Sequence, residues 1–185
     1  MIEYFKQVAD AIHIPVMVQD APLSSTPLPA SLLIDLVRQV PQVQYVKIEV
    51  PQAADKLHAL VSALGDRLPG PFDGEESVTL IPDLDAGAVG TMPSSTVPGE
   101  LGEIVRRYAA GDRAGAVSAW EDLLPLIHFE NRQCGLRAQK ILLAQGGIIA
   151  SERTRTPFGP VSPRTRRDLI ELAAARDPLI LRWAR

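Results

Sequence analysis

Residues 43–50 read VQYVKIEV, an apolar, β-branched run carrying two charges. In an extended strand alternate side chains face opposite ways. Val46, Ile48 and Val50 therefore share one face, and Tyr45, Lys47 and Glu49 the other. The apolar trio calls for a cover of helices, which leaves the polar trio facing the interior of a barrel or the mouth of a sheet. An amine stripped of water is favoured in its neutral form, the form that attacks a ketone. The plainer reading is a same-face Lys–Glu ion pair on a partly exposed strand. The strand alone leaves both open.

The pattern to either side is an alternation. Ile2, Phe5, Val8 and Ile12 at helical spacing predict an opening helix that Pro15 stops. A short strand over 16–19 follows, then a helix from near Pro29 with Leu32, Leu33, Leu36, Val37 and Val40 on its apolar face. After the quoted strand come a helix over 53–64 with Gly65 as its stop, a short strand in GPFDGEE, a helix over 77–84 and a strand over 88–92. No Asn-Gly hairpin turn interrupts this order, so it predicts a parallel α/β sheet with helical crossovers through residue 110. Residues 111–185 form a separate, helical region, with helices predicted over 114–127, 132–145 and 164–175 after one over 100–109. Four parallel strands can make an open sheet or half of an eight-stranded barrel, and periodicity does not choose.

Composition excludes several classes. With 185 residues, 46% of them hydrophobic, and a mean hydropathy of +0.05, the chain has the balance of a soluble globular protein. No apolar run approaches the ~20 residues that span a bilayer, and Glu3 and Asp10 in the opening helix argue against a signal peptide. The single cysteine, Cys134, allows no internal disulfide and fits a reducing cytoplasm. A net charge of −3 disfavours nucleic acid or an anionic membrane as partner. Arg164, Arg166 and Arg167 are followed at once by Asp168 and Glu171, which reads as a solvated helix start. His13, His58 and His128 lack metal-ligand spacing. There is no GxxxxGK or GxGxxG phosphate loop and no GxSxG elbow.

Polar residues cluster where the predicted strands end: Gln19-Asp20, Asp73-Gly74-Glu75-Glu76, and Gly90-Thr91 with Ser94-Ser95. Parallel α/β proteins bind ligands at the C-terminal ends of their strands. Each cluster alone is an ordinary loop start; together, beside a strand lysine, they mark a candidate site.

The order MVQDAP, YVKIE, DGEE, AGAVGTMPSS and a helical tail resembles the dihydrodipicolinate synthase/N-acetylneuraminate lyase superfamily, Schiff-base lyases built on a (β/α)₈ TIM barrel. The resemblance runs over essentially the whole chain but covers only strands five to eight of that barrel and the C-terminal helices. VQDAPLS, VKIEVP, GPFDGEESVTLIPDLDAG, LPLIHFENRQ, QGGIIAS and LRWAR look most like the branch of L-2-keto-3-deoxyarabonate dehydratases. The resemblance implies that Lys47 forms an imine with a 2-oxo acid. It also implies loss of water from a 2-keto-3-deoxy sugar acid to give 2-oxoglutarate semialdehyde. No metal or organic cofactor is implied, because the protonated imine is itself the electron sink.

One departure matters. Aldolases and synthases of the superfamily typically carry a tyrosine where this chain has Gln19, and an amide cannot relay protons near neutral pH. Proton transfer then falls to carboxylates, with Glu49 and Glu76 as the candidates. Gln19 can hold a substrate oxygen, Gly90 and Thr91 can line the pocket, and Gly74 lets the backbone approach closely. The alternatives are an aldolase or synthase activity, and a non-catalytic half-barrel module. By the same resemblance the first four strands would lie ahead of Met1, so the chain is expected to be a fragment, unstable or self-associating by itself. Full-length relatives imply a homo-oligomer.

Overall fold

A computed structural model describes residues 1–21 and 28–183; parts of the quoted VQDAPLS and LRWAR lie outside them. By compactness the chain divides into Met1–Met92 and Pro93–Arg185. The first unit holds four strands, β1 (Val16–Asp20), β2 (Val43–Ile48), β3 (Gly70–Asp73) and β4 (Gly90–Thr91), with helices α1 (Ile2–Asp10), α2 (Ala30–Gln39), α3 (Ala53–Leu64) and α4 (Leu80–Asp85) between or before them. The strands pair in parallel in the order β1-β2-β3-β4. Right-handed crossovers between successive neighbours put the helices on one face of such a sheet, the winding of a barrel rather than of a doubly wound sheet. This is the partial TIM barrel expected from the sequence.

Alternation along β2 sorts the faces. Val46 and Ile48 are buried beneath the helices with Leu33, Leu36, Leu57, Leu60 and Leu80, and Val43 is buried ahead of a register shift that breaks the alternation at Gln44. Register lays two rows across the sheet. Gln19, Lys47, Phe72 and Gly90 are successive partners on the face away from the helices. Asp20, Ile48, Asp73 and Thr91 form the next row. Helix α3 ends where Gly65 takes φ 50°, the left-handed conformation that favours glycine at a helix stop.

Two expectations shift here. The helix placed over 77–84 begins only at Leu80, because Glu76 and Ser77 take left-handed φ values of 52° and 65° and form a turn instead. The last strand is confined to Gly90–Thr91, register partners of Phe72 and Asp73, although the flanking Val89 and Met92 amides also donate to the Pro71 and Asp73 carbonyls of β3.

The second unit is helical, with α5 (Pro98–Ala109), α6 (Arg113–Phe129), α7 (Arg137–Gln145), α8 (Pro163–Ala174) and α9 (Leu179–Arg182). Its core gathers Leu101, Ile104, Leu126, Leu142 and Leu169. Asp112 caps α6 by accepting from the Gly115 amide, and Ser162 caps α8 through the Thr165 amide. The helix expected over 132–145 is broken: a π-helical turn spans Glu130–Cys134 and Gly135 turns at φ 57° before α7 begins. No helix among the described residues is long and apolar enough to cross a membrane.

Candidate active site

The C-terminal ends of β1 and β2 bring three of the expected residues into one constellation. Lys47 Nζ lies 2.6 Å from Glu49 Oε1, and both side chains are largely buried, 14% and 13% exposed. The other carboxylate oxygen, Glu49 Oε2, accepts a 2.5 Å hydrogen bond from Gln19 Nε2. Glu49 therefore bridges an amine and an amide from two strands. Its backbone is fixed too, since its N–H donates to the Asp20 carbonyl at 2.9 Å. A charge-assisted bond of this length, mostly out of water, holds the amine in one place.

Gly74 makes the close approach possible. A Cβ there would stand 2.2 Å from Glu49 Cγ and 2.8 Å from the Ile48 carbonyl oxygen, so any side chain would displace the carboxylate. Gly90 does the same more loosely for Phe72, the register partner of Lys47, whose ring lies 3.4 Å from the position of such a Cβ. Phe72 also meets Tyr45, ring centroids 6.2 Å apart, so the amine stands beside an aromatic floor.

Glu76 stands three residues beyond β3, partly buried, with its amide on the Gly74 carbonyl at 2.6 Å. Two consecutive left-handed, non-glycine residues in this turn, Glu76 and Ser77, are a strain of the kind that clusters at functional sites. Thr91 donates its hydroxyl proton to Asp73 Oδ2 at 2.5 Å and so accepts from Ser77 Oγ at 2.7 Å.

Of three further acids in this neighbourhood, Asp83 went unread in the sequence, and Asp20 and Asp73 were read only as members of polar strand-end clusters. Asp20, 1% exposed, pairs with Lys56 of α3 and also accepts from the Leu28 amide at 3.3 Å, so it ties the end of β1 to the helix layer. Asp73 and Asp83 are both fully buried. Burial, and then the bond to Asp83, push Asp73 up to about 8, against the opposing pull of Thr91 and Lys47. Burial also raises Asp83 above the usual carboxylate range. An acid set among Leu80, Ile81 and Leu84 was the available signal for Asp83.

The chain has relatives among known proteins. The chain is 46% identical over 184 residues to the L-2-keto-3-deoxyarabonate dehydratase of Azospirillum brasilense, covering 100% of this chain and 60% of that protein. It is 28% identical over 166 residues to the 4-hydroxy-tetrahydrodipicolinate synthase of Acidothermus cellulolyticus, covering 88% of this chain and 49% of that one. Among solved structures, dihydrodipicolinate synthase from Rhodopseudomonas palustris superposes with a TM-score of 0.83 at 26% identity, over 94% of this chain and 60% of that chain. The Aquifex aeolicus enzyme shares the fold with a TM-score of 0.86 at 22% identity, over 96% of this chain and 60% of that chain. The chain thus spans about 60% of the length of the relative it matches at 46% identity. The family model of the dihydrodipicolinate synthetase family matches residues 1–176, and the chain belongs to that family.

Proposed function

We propose that this chain carries the catalytic half of a Schiff-base-forming lyase acting on 2-keto-3-deoxy sugar acids, and that its reaction is dehydration of L-2-keto-3-deoxyarabonate to 2-oxoglutarate semialdehyde. The observation that carries this reading is the bridged trio Lys47–Glu49–Gln19, an amine held against one oxygen of a carboxylate whose other oxygen accepts from an amide. The 46% identity to a protein of that activity supports the substrate class. In this scheme four βα units over 1–110 supply the site, and 111–185 is a separate helical region.

The chemistry follows from the groups. Lys47 condenses with the 2-oxo carbon and releases water, giving a protonated imine that draws electrons from C3. A carboxylate removes a C3 proton; the C4–O bond then breaks and the hydroxyl leaves as water after taking a proton from a carboxylic acid. Loss of a C5 proton and tautomerisation turn the terminal alcohol carbon into the aldehyde, and a second water hydrolyses the imine to free Lys47. Glu49 and Glu76 are assigned to the proton transfers. Gln19, with no proton to relay, orients a substrate oxygen, and Gly74, Gly90 and Thr91 line the pocket. The complete enzyme is taken to be a cytoplasmic homo-oligomer that needs no metal or organic cofactor.

Product analysis tests the reaction. Incubation with L-2-keto-3-deoxyarabonate should yield the semialdehyde, whereas release of pyruvate would assign aldol cleavage instead.

A further inference from the structure

On the row next to Lys47, two carboxyl groups meet inside the protein. Asp73 ends β3 and Asp83 lies in α4; both are 0% exposed. One oxygen of each is occupied, Asp73 Oδ2 by the Thr91 hydroxyl at 2.5 Å and Asp83 Oδ2 by the Thr79 hydroxyl at 2.8 Å. The remaining two, Asp73 Oδ1 and Asp83 Oδ1, receive no amide or hydroxyl donor. Two carboxylates offer only acceptors, so a bond between the side chains requires that one of them carry a proton. Among the described residues the one cation acting on Asp73 to balance a second negative charge is Lys47 from β2. Thr91 of β4, Thr79 at the N-cap of α4 and Ser77 of the turn are hydroxyls, and the buried residues of α3 are Ala53, Leu57, Leu60 and Leu64.

We propose that Asp73 and Asp83 share a single proton at neutral pH and act as a positioning pair, holding Thr91 Oγ1 in place and limiting the negative charge presented to Lys47. The pair touches no substrate. Its link to turnover rests on the lyase reading above; its protonation does not. While one proton is shared, the pair carries one negative charge and Asp73 Oδ2 is free to accept from Thr91. When that proton leaves, two carboxylates face each other in a dry site, must separate, and add a second negative charge near the amine.

The test is carboxyl and threonine-methyl NMR of the whole chain, titrated through the neutral and alkaline range. The Asp73 carboxyl is expected to stay protonated through neutrality, and the Thr91 methyl to shift as that proton is lost. Asp73→Asn replaces the carboxylic acid with an amide that donates to Asp83 and accepts from Thr91, so it should hold the Thr91 methyl still at every pH. Asp83→Asn, which can donate a hydrogen bond itself, should return Asp73 towards the ordinary carboxylate range. An Asp73 resonance titrating with the exposed carboxylates, or a Thr91 methyl indifferent to it, overturns the proposal; the wild-type titration decides this even should a variant fail to fold. Borohydride trapping with pyruvate separates the two readings. No imine at all defeats the lyase reading and leaves the NMR result standing. Where imine forms, the trapping rate of wild type relative to Asp73→Asn should fall several-fold as Asp73 ionises, and a ratio flat with pH overturns the positioning role.

Discussion

Glu49 stands between Lys47 and Gln19, with one carboxylate oxygen 2.6 Å from the amine and the other 2.5 Å from the amide. Position i+2 in extended backbone puts the carboxylate on the lysine's face, and Gly74, just past the end of β3, leaves room for it.

Removing the carboxylate without changing its shape isolates its proton chemistry. Glu49→Gln should leave imine formation at Lys47 intact and lower the rate of semialdehyde production about 10²–10⁴-fold, the range for loss of general acid–base catalysis. Gln19→Ala should raise KM more than it lowers kcat, because the amide only holds substrate. Steady-state kinetics of the two variants make the comparison; equal effects on kcat would remove the distinction between the two residues.

Gly74→Ala tests the close approach. The added methyl meets Glu49 Cγ at 2.2 Å and backbone at 2.8 Å, and the backbone cannot swing away. Overpacking of this kind costs about 1–3 kcal/mol, and the displaced carboxylate should release Lys47 as well. Urea unfolding gives the first quantity and imine trapping the second.

The Asp20–Lys56 pair yields an asymmetric prediction. Lys56→Met leaves a carboxylate that is 1% exposed without its cation, which should cost about 3–5 kcal/mol. Asp20→Asn leaves a lysine that is 13% exposed and can reach water, so its cost should be smaller. Denaturant midpoints of the two variants check the order.

Stability should also depend on pH through Asp73. Its carboxyl is raised from 3.8 to about 8, so the folded state keeps a proton that the unfolded state has already lost. The stabilisation is complete below the unfolded value, shrinks as pH rises between the two values, and is gone above about 8. Asp73→Asn should flatten that slope. Thermal unfolding of wild type and variant across this window is the measurement.

The site was legible where it rests on strand periodicity and illegible where it rests on side chains meeting across layers. The i, i+2 spacing of Lys47 and Glu49 assigns them a common face, and their partial burial beside fully buried Val46 and Ile48 follows from that alternation. Asp73 read as the first residue of a polar turn, although it is paired in β3 and points into the protein; its partner lies ten residues on, in a helix otherwise apolar at that turn. The late start of α4 was hidden because nothing in Glu76 or Ser77 announces a left-handed backbone. The break before α7 is marked in the sequence by Gly135 alone, inside an otherwise helical pattern. The short α9 after Pro178 has too few residues to show a period.

Everything chemical depends on whether Lys47 condenses with a keto acid. Incubating the chain with pyruvate, reducing with borohydride and mapping the mass increase by peptide digestion answers this directly. The expected result is one adduct, on the peptide containing Lys47, absent from Lys47→Ala. An unmodified Lys47 in folded protein, or an adduct on Lys56 or Lys140 instead, would contradict the proposed lyase.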